Sequence, residues 1–129
     1  MNIEKIKKLF TLFSGEEYEE KHQTILELGI AEVTKMLRED ADEEDSRLDF
    51  LAAADANYRY CQAMLSADGK LYTYGGSLPD SSAAGKWSIL DFAGNLLKDY
   101  CQMCRDLITT DTFVFFGFSE GGEAQWTAS

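Results

Sequence analysis

WSILDFAGNLLKDYCQMCRDLI, residues 87–108, is the stretch whose reading decides the fold. At helical spacing it carries two apolar seams, Trp87, Leu90, Gly94, Leu97, Cys101, Cys104 and Ile108 on one, and Ile89, Ala93, Leu96, Tyr100, Met103 and Leu107 on the other. Both keep the three-and-four spacing of a helical face. Asp91, Asn95, Lys98, Gln102 and Arg105 form the remaining polar stripe, so roughly two-thirds of the circumference asks for cover, more than a surface helix offers. The spacing predicts a central helix about 33 Å long at ~1.5 Å per residue. Gly94 in its middle costs about 1 kcal/mol relative to Ala, which points to another backbone passing close by.

Two earlier helices are expected to wrap this rod, and a third packs down at the N-terminus. Ile3, Ile6, Leu9, Phe10 and Phe13 make an apolar stripe with Lys5, Lys7 and Lys8 around it, an N-terminal helix over residues 1–13. Basic amphipathic helices also bind lipid surfaces, but this one is short and runs at once into acid, so packing is preferred. Ser14-Gly-Glu-Glu17 has the form of a capping box and predicts a helix restarting near Gly15 and running to about Arg38. Its seam is Tyr18, His22, Ile25, Gly29, Val33 and Met36, and His22 on or beside it reads as a packed or hydrogen-bonded residue, not a base.

Six of the seven residues 39–45 are acidic. An EF-hand loop from Asp40 fails, because Asp45 stands where the glycine belongs and Leu51 where the last carboxylate belongs. The run is read as a solvated loop whose later acids favour the positive end of the next helix. That helix spans about Glu43 to Leu65, with Ala52, Ala53, Ala54 and Ala56 small enough to let a neighbour approach. Asp55 borders its apolar seam and needs a partner.

Ser66-Ala-Asp-Gly69 supplies turn chemistry, and Lys70 to Tyr74 alternates like a strand. The Gly, Ser and Ala of residues 75–86 around Pro79 read as a mobile connection; a phosphate-loop reading of Gly85-Lys86 fails, since Trp87 replaces the magnesium-binding hydroxyl. Phe113 to Phe118 reads as a second strand, pairing antiparallel with about 70–75. The fold class is mainly α, α+β at most: three to four helices around 87–108, one domain over 1–118, and a disordered tail over 119–129 in which Trp126 alone looks for a pocket.

The 129 residues carry 23 acids against 12 bases, a formal charge of -11. Tight or sequence-specific binding of nucleic acid needs clustered Lys and Arg and is not expected. No window approaches the ~20 apolar residues of a membrane span, and a cytoplasmic protein is expected, with no membrane partner. Three cysteines cannot all pair within one chain. Cys101 and Cys104 form a Cys-x-x-Cys pair that with Cys61 and His22 could compose a zinc site. A second close-set pair is missing, and a redox pair belongs at a helix N-terminus, so core cysteines are the preferred reading. With one histidine and no nucleophile or dinucleotide motif, no enzyme, cofactor or metal is expected. Open aromatic edges remain, with Tyr72, Tyr74, Phe113, Phe115, Phe116 and Phe118 as interface candidates.

The order of elements resembles the small head-tail connector, or adaptor, proteins of tailed bacteriophages and prophages. Ile25 to Leu37 with the acidic loop, Leu51-Ala-Ala-Ala54, the Gly69 to Gly76 strand and the long helix ending in Phe113 to Phe118 carry the resemblance. It covers most of residues 15–118; Cys101, Cys104 and the Trp126 tail lie outside it. The resemblance implies a non-enzymatic, virion-associated ring subunit around a DNA passage channel, whose partners are its own copies and other virion or host proteins. The other expectation is a stand-alone helical protein-binding or regulatory domain, monomer or dimer.

Overall fold

The computed structural model describes residues 1–75 and 81–109, of which 66–75 and 81–87 are described by backbone alone. Among the described residues four helices follow one another: α1 (Ile3–Ser14), α2 (Gln23–Met36), entered through a 3-10 turn (Glu20–His22), α3 (Arg47–Gly75) and α4 (Ser81–Met103). No helix among the described residues is long and apolar enough to cross a membrane.

The centre of the bundle is α3, and each of the other three helices packs chiefly on it. Leu51 through Asn57, seven consecutive residues, are all buried. A helix buries every side of two turns only when neighbours surround it. Its alanines make that possible: at Gly29 of α2 an added Cβ would lie 2.7 Å from the Ala52 carbonyl oxygen and 3.0 Å from Ala56 Cβ. A close backbone approach is thus seen at Gly29; Gly94, where the sequence predicts one, is buried.

The expectation of a central helix at 87–108 is therefore corrected. In α4 the face of Ala93, Gly94 and Leu97 is buried and continues into Cys104, Leu107 and Ile108 beyond the helix, but Ile89, Phe92 and Met103 are exposed. Apolar character does not guarantee cover, since much of any protein surface is apolar. The helix also stops at Met103 because its end is diverted: the Arg47 guanidinium takes the Met103 carbonyl at 3.0 Å, and Leu107 N–H turns back to Cys104 O at 2.7 Å. Beyond the turn, Ile108 and Leu37 form an isolated antiparallel bridge, with Arg38 N–H on Leu107 O at 2.9 Å and Thr109 N–H on Met36 O at 2.8 Å.

Three local expectations also shift. Gly15 ends α1 in the left-handed region at φ 75°, so Ser14 closes one helix instead of opening the next; its hydroxyl accepts from Glu16 N–H at 3.2 Å. The reciprocal capping pair stands at Glu19 and His22, one turn later, and α2 begins at Gln23. Residues 70–75, expected as a strand, continue α3 as helix. Extending a nucleated helix adds one hydrogen bond per residue, which outweighs the ~1 kcal/mol cost of Gly69 and the local alternation. The partner strand expected over 113–118 lies outside the described residues, as does the tail over 119–129.

The acidic loop is tied down at its end. Arg47 grips Asp45 through Nε (3.1 Å) and Nη2 (2.9 Å), and Asp106 through Nη1 (3.0 Å) and Nη2 (3.1 Å). These bonds pull the Asp45 carboxyl down to about 2 and hold Asp106 below the usual range. Arg47→Gln should raise Asp45 part of the way back from about 2, since the guanidinium bonds are lost while the residue-47 N–H still reaches Asp45 Oδ1 at 2.9 Å; a carboxyl-carbon NMR titration reads the shift directly, and no rise at all would assign the depression to that backbone bond alone.

Candidate functional site

Two polar constellations stand out against this helical core. The first lines a groove of about 260 Å³ between the end of α1, the middle of α3 and the exposed face of α4. Phe13, Met64, Leu65, Ile89 and Phe92 supply apolar walls, and Glu16, Asn57, Tyr60 and Cys61 supply the polar ones. At its rim, Phe92 is 62%, Ile89 57% and Met64 48% exposed. Large side chains clustered at an exposed edge mark a contact surface more often than scattered ones do.

Glu16 is the anion of this groove, and its position follows from the turn that Gly15 makes. Tyr60 O–H donates to the Glu16 carboxylate, 2.8 and 2.9 Å from its two oxygens. Burial and this carboxylate push the Tyr60 phenol up to about 12, so the hydroxyl remains a donor. Behind Glu16 lies His22, 1% exposed and enclosed by the rings of Phe10, Tyr18 and Tyr60. His22 Nδ1 accepts the Glu19 N–H at 2.9 Å, which places the proton of the neutral ring on Nε2. That atom is buried without an aligned hydrogen bond, and Glu16 Oε1 stands 3.3 Å from it. The Tyr60 hydroxyl thus holds the Glu16 carboxyl at the groove wall, with His22 close behind it.

The second constellation is interior. Arg59 of α3 forks onto Glu32 of α2, Nε to Oε1 at 3.0 Å and Nη2 to Oε2 at 2.7 Å. One turn before Arg59, Asp55 is fully buried, and as a carboxylate neither of its oxygens would meet a donor. Burial first, and then the hydrogen bond with Glu32, push the Asp55 carboxyl up to about 9. Burial works to raise Glu32 as well, but its bonds to Asp55 and Arg59 leave it lowered. One proton shared between two carboxyls satisfies both observations: Asp55 is the acid that donates, Glu32 the ion that Arg59 neutralises. The partner that Asp55 needed therefore comes from α2.

The cysteines do not converge on a reactive site. Cys104 is buried, its S–H directed at Arg47 O at 3.5 Å, and burial pushes its thiol up to about 11. Burial and the neighbouring Asp55 raise Cys101, and burial raises Cys61. Thiols held protonated are poor nucleophiles and metal ligands. Among the described residues no group of three or more His, Cys, Asp and Glu side chains could hold a metal ion, so the zinc candidates Cys61, Cys101, Cys104 and His22 are not assembled into one.

Of the interface candidates, Tyr72 and Tyr74 belong to α3, where the backbone alone is described, and Phe113, Phe115, Phe116 and Phe118 lie outside the described residues. Periodicity alone does not reveal the groove, since it places Ile89 on a buried seam and Phe92 on neither. Its one sequence signal is Phe92, an apolar residue flanking Asp91 on the otherwise polar side. No protein-family model, curated protein or solved structure matches the chain.

Proposed function

We propose that the chain is a non-enzymatic structural subunit that assembles with its own copies, as a head-tail connector ring of a tailed phage or prophage does around a DNA passage channel. The observation that carries this reading is the exposed rim of Phe92, Ile89 and Met64 around the groove. At about 260 Å³ the space falls below the ~300–1,000 Å³ of typical small-molecule sites and suits one or two protein side chains. A charge of -11 also suits a passage wall, because it repels phosphates instead of holding them.

The test is the assembly state of the purified chain by light scattering and negative-stain microscopy across a wide concentration range. Higher oligomers are expected, and Phe92→Glu should weaken association at least tenfold with unchanged helicity, since a desolvated charge at the centre of a contact costs several times the ~1.4 kcal/mol per decade of affinity. A wild-type chain that stays monomeric or dimeric at every concentration would sink the ring reading. It would leave the second one, a stand-alone protein-binding or regulatory domain, which the single fixed carboxylate in the groove favours because such a group selects a cationic partner.

A further inference from the structure

We propose that the groove receives the outer face of α1 from a second copy, with Leu12 entering beside Phe92 and Lys8 pairing with Glu16. The inference rests on the self-assembly reading and names the contact that would produce it. Leu12 is 72% exposed, the most exposed large hydrophobic side chain among the described residues. Ile6 and Phe10 turn the opposite side of α1 into the core, so Leu12 points away from its own bundle. Lys8 lies one turn before Leu12 on the same face and is exposed.

Charge singles out this face. Copies of a chain with 23 acids and 12 bases repel one another, so contact requires a basic patch to meet an acidic one. Three of the lysines fall within residues 5–8. Two are engaged at home: Lys5 Nζ is 3.9 Å from Asp49 and sits over the Phe50 ring, and Lys7 Nζ is 3.6 Å from Glu4 and sits over Tyr18. Lys8 has no ion pair among the described residues. The groove offers the complement, an apolar trough whose anion, Glu16, is followed by exposed Glu17, Glu19 and Glu20. A cation one helical turn from an apolar tip matches an acid at the wall of that trough. Knob and groove are different patches, and the self-assembly reading joins them head-to-tail, the arrangement that closes into a ring when the rotation permits; a reciprocal two-fold pairing of the same patches would stop at a dimer and overturn the head-to-tail contact.

Head-to-tail pairing makes a distinctive prediction for mixtures. Leu12→Asp removes the knob and Phe92→Glu spoils the groove; each variant alone should be monomeric at concentrations where wild type assembles, with helicity retained. Mixed one to one, they should form a heterodimer and nothing larger, because only the intact groove of the first can take the intact knob of the second. Lys8→Glu and Glu16→Lys should each weaken assembly about tenfold, and the double exchange should restore it. Wild-type assembly that survives Leu12→Asp but not Phe92→Glu would overturn the inference while leaving self-assembly standing, because the groove would then take something other than α1. A wild-type chain monomeric throughout would instead remove the self-assembly reading itself, and the inference with it.

Discussion

Asp55→Asn should make the protein more stable at pH 8, and it should flatten the dependence of stability on pH between about 5 and 8. The wild-type carboxyl titrates near 3.8 when the chain is unfolded and at about 9 when it is folded. The folded state therefore holds a proton that the unfolded state has lost throughout that window. A proton held only by the folded state means that stability falls as pH rises, by ~1.4 kcal/mol per unit. The contribution is fully present below the unfolded value and gone above the folded one. Over three units the loss is on the order of 4 kcal/mol, a large share of the ~5–15 kcal/mol that holds a domain together.

Asn replaces the protonated acid with a neutral amide of the same shape, whose N–H can donate to Glu32 without taking a proton from solvent. Glu32 moves the other way: its lowered carboxyl stabilises above its unfolded value of 4.5 and that contribution is lost as pH falls. The wild type should accordingly be most stable in mildly acid solution. Urea melts at pH 5, 6, 7 and 8 check this, and an equal pH slope in wild type and Asp55→Asn would show that Asp55 does not hold the proton.

A second large effect is expected at Gly29. A Cβ there would stand 2.7 Å from a backbone oxygen, that of Ala52, and 3.0 Å from the Ala56 backbone nitrogen. Neither atom can rotate away, so α2 and α3 must separate. Gly29→Ala gains about 1 kcal/mol of helix propensity, but overpacking costs about 1–3 kcal/mol and the separation also disturbs the Asp55, Glu32 and Arg59 cluster one turn along. A net loss of about 2 kcal/mol is expected for Ala and about 4 kcal/mol for Val, near the limit of a marginally stable domain. Ala56→Gly should not rescue either variant, because the nearest obstruction is the Ala52 carbonyl. Thermal melts that leave Gly29→Ala as stable as wild type would refute the close crossing.

These two sites explain why the bundle tolerates an ionisable network in its centre. The glycine–alanine contact brings α2 near enough for Glu32 to reach Asp55 and Arg59, and the network holds the two helices in one register. A buried polar group with a single satisfied arrangement disfavours sliding of one helix on another.

The amino-acid sequence alone determined that the chain is mainly helical, because the apolar residues of α1, α2 and α3 recur at the spacing of one helical face. It also pointed to Ala52, Ala53, Ala54 and Ala56 as a place of close approach and to Asp55 as a carboxylate needing a partner. Only the tertiary structure decided that α3, and not 87–108, occupies the centre, that Gly29 stands at a close helix crossing, and that residues 70–75 are helical. The same is true of the groove, whose walls come from the end of α1, the middle of α3 and the outer face of α4. Periodicity reports which side of an element is apolar; it does not report which neighbour covers that side, or whether any does. Burial, shared protons and grooves belong to pairs of elements, and come into being only when the helices meet.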